Sequence, residues 1–125
     1  MRTLLVVGAG GFLGAIARYL LSTGVARTGL PFVWGTFVVN VLGCAALGVL
    51  LELAETWPQL PPATRLFVGV GILGSFTTFS TFGGETLEFV RVGAPRLALL
   101  NVAGNVIVGL LALWLGRVAV RTLVG

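Results

Sequence analysis

Long apolar runs alternate with short polar interruptions along the whole chain. Four runs approach or exceed the roughly 20 residues that a helical span of a bilayer requires: about 3–22, 32–51, 65–90 and 97–115. In lipid every backbone polar group must find its partner within the protein, which makes each run a helix. The pattern predicts an all-α integral membrane protein, with four transmembrane helices in one domain over residues 1–125.

Polar positions inside the runs are few and patterned. In the first run Gly10 and Gly14 stand four apart, a spacing that admits a second helix closely. Arg18 continues that side, either snorkelling to headgroups or lending positive potential to a pore mouth. The run passes into Arg18-Tyr19 without a clear small-residue cleavage site, so it reads as a span and not a signal peptide. In the second run Thr36 and Asn40 share a face that Gly43 extends. Asn40 is either a helix–helix hydrogen bond or an amide N–H turned into an anion path. Residues 52–64 read as the longest connection, with Glu52, Glu55, Trp57, Pro58, Pro61 and Pro62. In the fourth run Asn101 and Asn105 share one face, and Arg117 and Arg121 fall in the tail.

The third run departs from the others. Gly74-Ser75-Phe76-Thr77-Thr78-Phe79-Ser80-Thr81-Phe82 places hydroxyls and glycine where lipid-facing side chains are expected. Such groups at membrane depth face protein or a water-filled path. The crowding predicts that this helix is broken near 74–78. Phe76, Phe79 and Phe82 form an aromatic stripe if the segment is helical, and Glu85 and Glu88 fall near its exit.

Composition narrows the function. Hydrophobic residues make up 57% and charged residues 10% of the chain, against about 25% charged in a soluble domain. The net charge of +4 comes from arginines scattered at the ends of apolar runs; they read as membrane anchors, and no nucleic-acid partner is expected. With no His and a single Cys, Cys44, a transition-metal site is not expected. There is no nucleophile–base pair. The glycine run 8–14 lacks the strand that a dinucleotide fingerprint requires, so no enzyme is expected. Transport remains, and no acidic residue lies deep in a span. That argues against a proton-coupled exporter of the small dual-topology multidrug type, which is the alternative reading. The buried inventory of Arg, Asn, Ser and Thr donates hydrogen bonds and suits a small anion, and phenyl edges are positive too.

Arginines barely distinguish the two faces. Arg2, Arg65, Arg117 and Arg121 fall on one, and Arg27, Arg91, Arg96 and, by its nearer end, Arg18 on the other. The positive-inside rule then gives almost no bias, and an antiparallel, dual-topology homodimer follows as an expectation.

Three stretches taken together resemble the Fluc (CrcB) family of bacterial fluoride channels: Gly10-Gly11-Phe12-Leu13-Gly14-Ala15-Ile16-Ala17-Arg18-Tyr19, Gly35-Thr36-Phe37-Val38-Val39-Asn40-Val41-Leu42-Gly43, and the 74–82 segment. Asn101 also agrees, and the resemblance covers nearly the whole chain. It implies a passive fluoride channel of the cytoplasmic (inner) membrane that lowers cytoplasmic fluoride, with two pathways per antiparallel homodimer. By that resemblance Phe79 and Phe82 line each pathway, Asn40, Ser80, Thr81 and Thr36 supply its polar track, and Arg18 makes the vestibule positive. The implied partners are fluoride, membrane lipid, a second copy of the chain and a structural Na⁺ held by the backbone carbonyls of Gly74 and Thr77. Two departures stand out. The serine common in the family's fourth span has only Val108 and Gly109 as nearest matches, and Ser75-Phe76 replace a more glycine-rich pair.

Overall fold

A computed structural model describes residues 1–124. The described residues form helices and connections, with no strand. Helix α1 is Arg2–Arg27 and α2 is Val33–Thr56. Helix α3 occupies 62–76 and contains a π-helical stretch, Leu66–Leu73. Helix α4 is Phe79–Arg91, and α5 is Pro95–Val124 with a shorter π stretch at Gly104–Val108. Helices α3 and α4 together make one membrane crossing, so four crossings are long and apolar enough to span a bilayer.

The helices outrun the apolar runs that announce them. Helix α1 continues to Arg27 and α2 to Thr56. Glu52 therefore lies on α2 and not in the following connection, and Arg117 and Arg121 lie on α5 and not in a tail. Hydropathy misses these turns because their charges cancel only after folding. Glu52 is 3% exposed. Its carboxylate accepts from Arg117 Nε at 2.8 Å and Arg121 Nε at 2.5 Å, while Arg117 also bonds Glu55.

Glycine decides which helices meet. Helix α1 packs on α3 along Gly10 and Gly14. A Cβ at Gly14 would collide with the Ile72 carbonyl, and one at Gly10 with the Phe67 carbonyl. The spacing read from the sequence thus joins two helices of the same chain. Helices α2 and α5 form the most extensive pair and close in the same way: Gly48 lies against the Leu113 backbone and Gly116 against that of Ala45. With lipid on both sides of the comparison, helix association depends on such close van der Waals approach and on hydrogen bonds.

The turn between α4 and α5 is built by Gly93 at φ 77°. Ala94 N–H returns to the Phe89 carbonyl at 2.8 Å and Gly93 N–H to the Val90 carbonyl at 3.0 Å. This is a Schellman closure, after which Pro95 opens α5.

Candidate functional site

The break falls at Thr77-Thr78. Thr77 has φ −78°, ψ 159° and Thr78 φ −148°, ψ 113°, both extended. Two side-chain devices hold it. Thr78 caps α4: its Oγ1 accepts from the Thr81 N–H at 3.2 Å, the N-cap to third-residue bond. Asn40 on α2 treats Thr78 as a neighbouring strand would. The Thr78 N–H donates to Asn40 Oδ1 at 2.9 Å, and Asn40 Nδ2 donates to the Thr78 carbonyl at 3.3 Å. Thr78 is 8% exposed, so without Asn40 its N–H would be buried and unpaired.

These bonds redistribute the backbone groups that a continuous helix would have paired. Gly74 would accept from the Thr78 N–H, which now goes to Asn40. Thr77 would accept from the Thr81 N–H, which now goes to Thr78 Oγ1. The Thr77 carbonyl instead meets Arg18 Nη1 at 3.4 Å. On the other side of the break, the first N–H groups of α4, at Phe79 and Ser80, have no partner within the helix. The break therefore joins a carbonyl-rich end, favourable to cations, to an amide-rich end, favourable to anions.

A cavity of about 370 Å³ opens beside it. Asn40, Gly74, Thr77, Phe79 and Phe82 line this cavity, together with Thr78 and Asn105. The Phe79 and Phe82 rings stand 5.6 Å apart, tilted by 58°. Phe79 is 83% exposed on the single chain. Phe76 does not extend the pair into a stripe, because the extended residues separate it from α4. The two π stretches flank the same cavity, giving Gly69 and Leu73 on α3 and Asn105 and Val106 on α5.

The remaining sequence-derived residues lie at different places. Thr81 Oγ1 accepts from Thr78 Oγ1 at 2.9 Å, behind the cap. Ser80 is exposed in the first turn of α4, its Oγ 3.4 Å from Thr78 Oγ1. Arg18 reaches the break from α1. Thr36 lies one turn from Asn40 along α2, is 3% exposed, and does not line the cavity. Its hydroxyl donates to Glu85 Oε1 at 2.6 Å.

Two contributors to the site escaped the sequence reading. Thr78 is the residue around which the break is tied, and its signal was the Thr78–Thr81 cap spacing. Asn105 accepts from Asn40 Nδ2 at 3.0 Å. It places a polar group on the cavity one turn before Val108 and Gly109, the nearest matches to the family's fourth-span serine. Its signal, the Asn101–Asn105 face, was visible without its partner.

The chain matches the family described as CrcB-like protein, Camphor Resistance (CrcB), over residues 5–117. It is 46% identical over 114 residues to a protein of Hydrogenovibrio crunogenus named fluoride-specific ion channel FluC, covering 90% of this chain and 86% of that one. It is 47% identical over 116 residues to one of the same name from Magnetococcus marinus, covering 92% and 94%. For a third, from Geobacter sulfurreducens, the identity is 41% over 124 residues, covering 98% and 100%.

Proposed function

We propose, from the premise that this chain belongs to the CrcB family, that it is a fluoride channel, a multi-pass protein of the inner membrane that lets fluoride leave the cytoplasm passively. The observation that carries the reading is the helix break itself. It leaves the first N–H groups of α4 without helical partners, beside a cavity lined by the Asn40 amide and two phenyl rings. A small, strongly hydrated anion needs such close donors to replace lost water.

In this reading fluoride passes Phe79 and Phe82, whose ring edges are positive. Asn40 donates to it directly, and Ser80 and Thr81 continue the polar track. Arg18 raises the local potential at the mouth. Thr36 acts one turn away, through the hydroxyl it shares with Glu85. The exposure of Phe79 and the open side of the cavity support a second copy as the missing wall. Near-equal arginine counts on the two faces support an antiparallel copy, and with it a dual-topology homodimer with two pathways.

A Na⁺ at the dimer interface fits the same break. The Gly74 carbonyl has lost its helical donor, and the Thr77 carbonyl keeps a lone pair beside the long Arg18 contact. The described residues contain no cluster of acidic, His or Cys side chains able to hold a metal, so backbone oxygens are the ligands on offer. Bound there, Na⁺ would be coordinated by these carbonyl oxygens and those of the second copy.

Fluoride efflux from liposomes, read with a fluoride electrode, tests the function. Release no faster than from protein-free vesicles refutes it. Replacing Na⁺ with N-methylglucamine should lower dimer stability, and indifference to the exchange removes the Na⁺ site.

A further inference from the structure

We infer that Asn105 is a positioning residue for Asn40, deciding which of its two amide N–H groups is free to engage the anion; the inference rests on the fluoride reading above. Asn40 Oδ1 is occupied by the Thr78 N–H at 2.9 Å. Of its two N–H groups, one is held by Asn105 Oδ1 at 3.0 Å and the other reaches the Thr78 carbonyl at 3.3 Å. The longer bond is the weaker. A passing anion displaces that one, while Asn105 keeps the amide from turning.

Asn105 can do this because its own amide has one permitted orientation. Its Nδ2 donates to the Asn101 carbonyl at 3.0 Å and to Asn101 Oδ1 at 3.1 Å. Asn101 Nδ2 then donates to Thr86 Oγ1 at 2.9 Å, and Thr86 donates to the Phe82 carbonyl at 2.8 Å. A carbonyl only accepts, so the sense of the whole relay is fixed at Phe82. Thr86 spends its proton there and must accept from Asn101, whose Oδ1 then faces Asn105. Turning Asn105 over would set its N–H against the Asn40 N–H and its oxygen against two oxygens of Asn101. A one-way relay from α2 through α5 to α4 therefore locks Asn40, and it ends on the backbone of a residue that lines the cavity.

The test uses the full chain in liposomes, with fluoride efflux as readout. Asn105→Thr retains a hydroxyl that accepts from Asn40 and bonds back to the Asn101 carbonyl, while Asn105→Val is nearly its isostere without that group. Efflux should fall about tenfold in the valine variant, the equivalent of one hydrogen bond, and stay within about threefold of wild type in the threonine variant. Asn101 does not line the cavity, so Asn101→Ala separates positioning from contact. It should lower efflux about threefold in wild type and leave the Asn105→Thr variant within about twofold of its own rate. Should Asn105→Val fail to reconstitute, the two Asn101→Ala measurements decide alone. An equal loss in both backgrounds marks a merely structural role, and no loss in wild type marks direct ion contact by Asn105; either overturns the proposal. Wild-type vesicles without efflux remove the fluoride reading and this inference together, whereas normal wild-type efflux with an unchanged Asn105→Val rate removes only the inference.

Discussion

Asn40→Ala should loosen the helix break and stop conduction, and the two effects are separable. The substitution removes three hydrogen bonds: the two with Thr78, at 2.9 and 3.3 Å, and the one with Asn105 at 3.0 Å. Polar side-chain bonds between membrane helices average about 0.6 kcal/mol each, so three are worth about 2 kcal/mol. A second route starts from what is left behind. The Thr78 N–H, on a residue 8% exposed, loses its acceptor, and a buried unpaired donor costs about 1–3 kcal/mol. The adjoining cavity of about 370 Å³ is roomy enough to lend a water, which favours the middle of that range. Both routes give about 2 kcal/mol. The assay is unfolding in mixed detergent, followed by fluorescence of Trp34, Trp57 and Trp114, with fluoride efflux measured on the same preparation. A stability loss below about 0.5 kcal/mol would show that Asn40 does not tie the break. Unchanged efflux would remove it from the pathway.

Other substitutions probe separate parts of the fold. Gly14→Val should cost more than about 2 kcal/mol, because the new side chain meets the Ile72 backbone, whereas Gly8→Ala, with nothing within 4 Å, should stay within about 0.5 kcal/mol; the same unfolding assay compares them, and equal losses would refute the α1–α3 contact. Glu52→Ala takes the only carboxylate partner from Arg121, leaves Arg117 with Glu55 alone and should lower the midpoint of thermal unfolding, while Glu88→Ala, whose pair with Arg91 is exposed, should leave it almost unchanged. Phe79→Ile should abolish fluoride efflux while the protein elutes normally on size exclusion, since the ring is 83% exposed on the single chain; retained efflux removes Phe79 from the pathway.

Local features were the legible ones. Four apolar runs announce four crossings because a helix buried in lipid has to be apolar along its length. The break was visible because hydroxyls and glycines have no lipid-facing role. Gly10 and Gly14 announced a close helix contact, although only the fold names α3 as the neighbour. The illegible features depend on residues far apart in the chain. Glu52 reads as a loop residue until Arg117, 65 positions later, arrives beside it. Asn105 shares a polar face with Asn101 in the sequence, but its partner Asn40, also 65 positions away, appears only in the fold. Thr36 read as part of a polar track, but its hydroxyl is directed to Glu85 on α4. Phe76 leaves the aromatic stripe because Thr77 and Thr78 are extended, so helical spacing does not carry across them.

The Glu52 cluster also sets an order of assembly. Helix α2 is synthesised and inserted well before α5, so its last turns enter the bilayer interface carrying a carboxylate with no partner. The two arginines that will cover it lie 65 and 69 residues downstream. Until they arrive, burying that unpaired carboxylate is costly, which favours keeping the C-terminal end of α2 in contact with water. When α5 docks, glycine contacts at Gly48 and Gly116 draw the helices together and bring both arginines onto the carboxylate. Helix α2 is thus completed by α5, and a chain stalled before α5 would leave Glu52 without its arginines and Asn40 without Asn105.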